Sequence, residues 1–278
     1  MIKDGTQTTN MQTSDLLSER CTRCGQTKYM ELELLGQKRI VRKQCLCEKA
    51  EYERRRQEEE NKQKQYRLDR LKQYSMMDAH FNQCRFENFK VDEQNEKLYK
   101  MALNYCEQWP EMKKQNMGFL FYGPPGTGKT YLAFCIANRL LEKLVPVIAL
   151  SSIGLLNRIK QTYNTYGKEA ETEILLSLKN ASLLIIDDIG AENDTNWAKE
   201  KLYEIIDSRY RDGKPMICTT NLTREQLRDK LTGNDGVTRT YDRLIEMCYP
   251  IKVDGPSRRA KAAGQKTEII KNLFEVIR

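Results

Sequence analysis

Gly118-Phe-Leu-Phe-Tyr-Gly-Pro-Pro-Gly-Thr-Gly-Lys-Thr130 is the stretch on which the reading of the fold turns. Gly118–Tyr122 is an apolar run without alternation, the pattern of a strand covered on both faces. The next eight residues, Gly123, Pro124, Pro125, Gly126, Thr127, Gly128, Lys129 and Thr130, fit G-x-x-x-x-G-K-[ST] in full. A helix is predicted to follow over Thr130–Lys143. Glycines in such a loop let consecutive backbone N–H groups face inward as a nest for a phosphate, and the helix presents its positive end to the same anion. Lys129 would reach the β- and γ-phosphates, and the Thr130 hydroxyl would ligate Mg²⁺.

Working outward, further apolar runs alternate with helical stretches: Val147–Leu150, Leu183–Ile186, Pro215–Thr219 and Tyr249–Val253, with helices such as Tyr131–Lys143 and Ala198–Tyr210 between. This pattern predicts an α/β fold, a parallel sheet covered by helices on both faces. Leu183-Leu-Ile-Ile-Asp-Asp188 ends an apolar strand in two carboxylates, which are costly to bury unless a cation or water meets them. Asp187 is the expected Mg²⁺ partner, through water, and Asp188 the expected group that polarises an attacking water. Ile217-Cys-Thr-Thr-Asn221 delivers a polar side chain at a strand tip, where parallel sheets place ligand groups, so Asn221 is expected to orient water against a γ-phosphate.

Upstream the chain changes character. Residues 48–75 are rich in Glu, Arg, Lys and Gln and contain no Gly or Pro, so they read as a charged linker helix with little to bury. Residues 1–47 carry Cys21-Thr-Arg-Cys24 and Cys45-Leu-Cys47. Four thiolates suit a tetrahedral Zn²⁺, and the alternation in Met30–Leu34 and Arg39–Arg42 predicts a hairpin that brings the two pairs together. An iron–sulfur cluster and unligated thiols stand as alternatives. The expected organisation is therefore a zinc-binding module over 1–47, a linker over 48–75 and a phosphate-loop domain over 76–278.

The 278 residues hold 47 Lys and Arg against 39 Asp and Glu, a net charge of +8 that favours a polyanionic partner without naming one. One histidine, His80, argues against chemistry built on several histidines. No apolar stretch approaches the ~18–20 residues that span a bilayer, and Met1–Thr6 lacks an apolar signal region, so a cytoplasmic protein with no membrane association is expected. Five scattered cysteines fit a reducing compartment.

At this point the sequence resembles the AAA+ ATPases, with Gly123–Thr130 as Walker A, Leu183–Asp188 as Walker B and Asn221 as sensor 1. Within them it is similar to the DnaC/DnaI/IstB-like helicase loaders. Cys84-Arg-Phe-Glu-Asn-Phe89 looks like their lead-in motif, Gly154–Lys160 their initiator-type helical insertion, Arg239-Thr-Tyr-Asp-Arg243-Leu their arginine-finger segment, and Gly255-Pro-Ser-Arg-Arg259 their sensor 2 segment. The resemblance covers about residues 80–260. It implies Arg243, with Arg239 second, as the finger acting in a neighbouring subunit, and Arg259 as a phosphate contact within its own. Arg158 and Lys160 would meet the phosphates of single-stranded DNA, while Tyr163 or Tyr166 would stack on a base.

Two departures qualify the match. Walker B ends Asp-Asp where the family has Asp-Glu, which predicts slow hydrolysis. Fewer than 30 residues follow Pro250, too few for a full C-terminal lid, an economy that the loaders share. The resemblance thus implies an ATP-, Mg²⁺- and Zn²⁺-binding loader of a replicative hexameric DNA helicase onto single-stranded DNA, forming a homo-oligomer on ATP binding. An IstB-like transposition helper and a non-hydrolysing nucleotide-gated adaptor are the alternatives.

Overall fold

The structure is a computed structural model that describes residues 17–34, 36–74, 79–165, 167–260, 263–264, 266–267 and 270–271. Contacts divide the chain into two compact units, Met1–Lys64 and Gln65–Arg278.

In the first unit, β1 (Tyr29–Leu34) and β2 (Gln37–Arg42) form the antiparallel hairpin expected from their alternation, with Met30 opposite Val41 and Leu32 opposite Arg39. Helix α1 (Leu46–Tyr74) begins here. Its exposed charges pair one turn apart, as in Arg55–Glu51 at 2.8 Å and Arg56–Glu60 at 3.3 Å. Such pairs stabilise a helix that lacks an apolar stripe by a few tenths of a kcal/mol each.

The second unit continues through α2 (Ala79–Gln83), a 3₁₀ turn at Phe86–Asn88, α3 (Glu96–Glu107), α4 (Trp109–Lys114) and β3 (Gly118–Tyr122). Then follow α5 (Lys129–Glu142), β4 (Val147–Ser151), α6 (Ser152–Thr165), α7 (Gly167–Asn180), β5 (Leu183–Asp187), α8 (Asn196–Arg211), β6 (Met216–Thr220), α9 (Arg224–Leu231), α10 (Arg239–Met247) and β7 (Cys248–Lys252). The five strands β3 to β7 make one parallel sheet in the order β4-β5-β6-β3-β7.

Because successive strand residues face opposite ways, the sheet has two cores. On one face Leu120, Ile148, Leu150, Leu184, Ile186 and Cys218 pack with residues of α6 to α10. On the other, Phe119, Phe121, Val147, Ala149, Leu183, Ile185 and Ile217 pack with α3, α4 and α5. The expected covering on both faces is observed.

Chain order and strand order disagree at β3. From β3 the chain crosses to the far edge at β4, returns through β5 and β6, then passes over β3 to reach β7. The carboxyl ends of β3, β5 and β6 therefore meet at a switch point, where open α/β sheets bind ligands. Arg209 on α8 fixes the approach to two of these strands. It is fully buried and donates to the carbonyls of Leu178, Ala181, Ser182 and Pro215 at 2.8, 2.9, 3.3 and 2.7 Å, tying together the segments that lead into β5 and β6.

Candidate functional site

A cleft of about 460 Å³ opens at the switch point. Gly126, Gly128, Lys129 and Thr130 line it from the loop, Asp187 and Asp188 from the end of β5, Thr219 and Asn221 from β6, and Arg259 from the C-terminal segment. Gly128 is left-handed at φ +99° immediately before α5, with open space where a side chain would lie. A Cβ on Gly126 would come 2.2 Å from Ser257 Oγ, so the loop and the C-terminal segment meet only because no side chain stands there. Pro124 and Thr127 hold the turn, with Thr127 Oγ1 donating to the Pro124 carbonyl at 3.0 Å.

Lys129 is buried. Its ammonium donates to the carbonyls of Gly123 (2.8 Å) and Pro124 (2.7 Å) and to Asn221 Oδ1 (2.8 Å). Burial lowers its pKa below the ordinary lysine value, against the pull of Asp188 and Asp187. Asn221 uses its other end to donate from Nδ2 to Asp188 Oδ1 at 2.7 Å. One side chain thus joins the phosphate-loop lysine to the second carboxylate of β5.

Asp187 continues β5, and its Oδ1 accepts from Thr219 Oγ1 at 2.6 Å. Asp188 leaves the strand in the left-handed region at φ +56°, and its backbone N–H donates to the same Thr219 hydroxyl at 2.9 Å. Among residues with a side chain, Asp and Asn enter that region most easily. The local backbone therefore favours Asp over the longer Glu at this position. Burial, then the charge of Asp187, raises the Asp188 carboxyl above its ordinary value.

Thr219 is the residue that reading for motifs overlooks. The signal was the period of two: Ile217 and Thr219 share a side of β6, with Asn221 two residues on just past its end, and Ile217 faces the core that α5 covers. Asn88, Phe89, Lys90, Tyr131 and Arg258 also line the cleft.

A family profile described as "IstB-like ATP binding protein" matches residues 37–266. The chain belongs to that family. It is 32% identical over 162 residues to "Replicative helicase loader DnaC" of Escherichia coli (strain K12). That match spans 58% of this chain and 62% of the relative, so the shared part is rather less than two thirds of the relative's length. Among solved structures, "Crystal Structure of the DnaI" is similar with a TM-score of 0.55 and 25% identity, over 66% of this chain and 95% of that one. "Replication initiator DnaA bound to AMPPCP and single-stranded DNA" shares the fold, with a TM-score of 0.53 at 21% identity over 71% of this chain and 57% of that one. These matches bear out the AAA+ core.

The two candidate finger arginines do not line the cleft. Arg243 Nη1 lies 2.6 Å from Asp207 Oδ1, and the guanidinium sits 5.1 Å from the Tyr203 ring and 5.6 Å from that of Tyr210. Arg239 pairs with Asp235 at 2.7 Å and is the more exposed of the two, 56% against 23%. Tyr163 is 44% exposed and also makes contacts of its own. Its hydroxyl donates to Glu171 at 2.9 Å, and its ring packs edge-on against Trp197 at 6.3 Å. Tyr166 lies outside the described residues.

In the first unit the sulfurs of Cys21, Cys24, Cys45 and Cys47 all lie within 4.8 Å of one another. Separations of 3.3 Å (Cys21–Cys47), 3.1 Å (Cys45–Cys47) and 3.5 Å (Cys24–Cys47) are near the roughly 3.8 Å edge of a tetrahedron with ~2.3 Å metal–sulfur bonds. Gly25, left-handed at φ +70°, donates to the Cys21 carbonyl at 2.9 Å and closes the knuckle. Backbone amides, that of Cys24 foremost, bring the Cys21 thiol down to about 6. Amide donors around a thiol favour the thiolate, the form that ligates metal.

No helix among the described residues is long and apolar enough to cross a membrane.

Proposed function

We propose that this chain is a nucleotide-gated loader that delivers a replicative hexameric DNA helicase to single-stranded DNA in the cytoplasm. One observation carries the reading: a phosphate loop, two carboxylates and a polar strand tip, up to 98 residues apart in sequence, converge on a single cleft whose lysine and second carboxylate share one asparagine. The likeness to a replicative helicase loader supports the choice of partner.

In this reading, Lys129 exchanges the carbonyls of Gly123 and Pro124 for the β- and γ-phosphates of ATP, while the amides of Gly126–Thr130 receive the β-phosphate. Thr130 and Asp187 both face the cleft and offer the hard oxygen donors that Mg²⁺ takes. Bound Mg²⁺ would neutralise phosphate charge. Asp188 orients the attacking water and accepts its proton, with Asn221 holding that carboxylate in place. Arg243 or Arg239 of a neighbouring subunit meets the γ-phosphate, which makes hydrolysis depend on a homo-oligomer. Arg259 contacts phosphate within its own subunit.

The four cysteines suit Zn²⁺, whose four bonds would hold the hairpin to the start of α1 and present the first unit to the helicase. Arg158 and Lys160 on α6 would meet DNA phosphates.

Affinity capture of purified hexameric helicase by the full chain, with and without MgATP, tests this. Capture that fails in both conditions would refute the loader reading. Capture of a transposase instead would favour the IstB-like helper role, the second reading, which the family match supports.

A further inference from the structure

Residues 253–259 run as a strap between two walls of the cleft. At its start, Val253 N–H donates to the Tyr122 carbonyl at 2.8 Å; further on, Arg258 N–H donates to the Gly126 carbonyl of the phosphate loop at 2.9 Å. The opposite wall is the lead-in Asn88–Lys90. The segment that leads into this wall is bound to α5 through Tyr131 Oη, which donates to the Gln83 carbonyl at 3.0 Å, and through buried Asn138, whose Nδ2 donates to the carbonyls of Phe81 and Cys84, both at 2.8 Å.

The Arg258 side chain joins strap to lead-in. Nη1 donates to the Lys90 carbonyl at 2.9 Å, Nη2 to Asp92 Oδ2 at 2.8 Å, and the guanidinium lies 5.5 Å from the centre of the Phe89 ring. A planar fork reaches a carbonyl and a carboxylate from two separate nitrogens while lying over a ring, a geometry that the single nitrogen of an ammonium does not reproduce. Arg259, the next residue, faces into the cleft, and its charge acts on Lys129. The two arginines therefore divide the work: one is spent on protein, the other is left for a ligand.

We propose that Arg258 is a positioning residue for the nucleotide, a clasp that fixes the distance between the Phe89 wall and Arg259 and so presents Arg259 to the phosphates. This rests on the nucleotide reading above. The Arg258–Asp92 pair is partly exposed, 36% and 55% for the two side chains, so removing the carboxylate alone has a modest effect, while removing the whole clasp has a larger one.

The test is titration calorimetry of MgATP into the full chain carrying Arg258→Ala, Arg258→Lys, Asp92→Asn, Arg259→Ala or Arg258→Ala with Arg259→Ala, with thermal unfolding as a control. We expect Arg258→Ala to weaken binding about tenfold and Asp92→Asn about threefold. Arg258→Lys should behave as the alanine variant, because the fork is lost. In the Arg259→Ala background, Arg258→Ala should cost less than about twofold, since nothing is left to position. Additive losses at 258 and 259, or wild-type affinity in Arg258→Lys, would overturn the clasp. Should Arg258→Ala fail to fold, Asp92→Asn at wild-type affinity overturns it equally. Absence of MgATP binding by the unaltered chain removes the nucleotide reading itself, a result distinct from both.

Discussion

The two units of the chain build their sites in opposite ways. The cleft of the second unit draws on loops and strand ends from residue 88 to residue 259, and each contributor is held by one of two apolar cores. The cysteine site of the first unit needs only residues 21–47, and Cys45 is its single buried apolar residue among those described. A hairpin without a core does not hold four sulfurs together unaided. The contrast teaches that packing positions one site, whereas in the other a metal bound by the four cysteines, as proposed above, would do what packing does not.

The sharpest way to break this comparison is to test for the metal that the four cysteines are proposed to hold. Adding a strong chelator to the full chain, or replacing Cys45 by Ser, should abolish the hairpin's amide-exchange protection while that of β3, β5 and β6 changes less than about twofold. Zinc analysis of the untreated chain should give one ion per molecule. Unchanged protection after complete chelation would show that the first unit packs on its own.

Packing in the second unit is tested at Arg209. Arg209→Met removes donors to four carbonyls, three of them in buried bonds, and should lower unfolding stability by about 3 kcal/mol, measured by denaturant titration, while leaving the hairpin's protection unchanged. A loss below ~1 kcal/mol would mean that water replaces the guanidinium without cost.

Thr219 serves the site more than the fold. Thr219→Val keeps the shape but frees Asp187 Oδ1 and the Asp188 amide from their shared partner. Turnover should fall about tenfold with little change in ATP affinity. Equal losses in both would place Thr219 in binding rather than in orienting the carboxylates.

The smallest effect concerns Asp188. Its carboxyl is raised in the folded protein, so the ionised form is stabilised less there than in the unfolded chain. That penalty is absent well below the ordinary carboxylate pKa, sets in as pH rises through it, and is fully present above the raised folded value. Asp188→Asn tolerates the left-handed backbone and should raise Tm by about 1–2 °C at pH 7, a gain that fades as pH falls through the carboxylate range, while turnover is lost. A lower Tm at pH 7 would show that the carboxylate stabilises the fold.

Much of this was legible in the sequence, for physical reasons. The strands read as unbroken apolar runs because both faces of the sheet are covered, and the loop motif is local, so Gly123–Thr130 and the Asp187–Asp188 pair were identifiable by spacing alone. The hairpin followed from its alternation. What could not be read were partnerships across the sheet. That Asn221 touches both Lys129 and Asp188 depends on strand order, which periodicity does not encode. Arg258 and Arg259 are indistinguishable as neighbours in sequence; both line the cleft, and only the strap's path pairs Arg258 with Asp92. The contacts of Tyr163 with Glu171 and Trp197 were hidden too, because both partners lie on later helices.

Nucleotide binding in the cleft is tested most directly by calorimetric titration of MgATP into the full chain and, beside it, into Lys129→Ala. A single saturable site in the first, weakened about 100-fold or more in the second, is the expected outcome. Equal heats from both proteins would mean that the cleft is not where nucleotide binds.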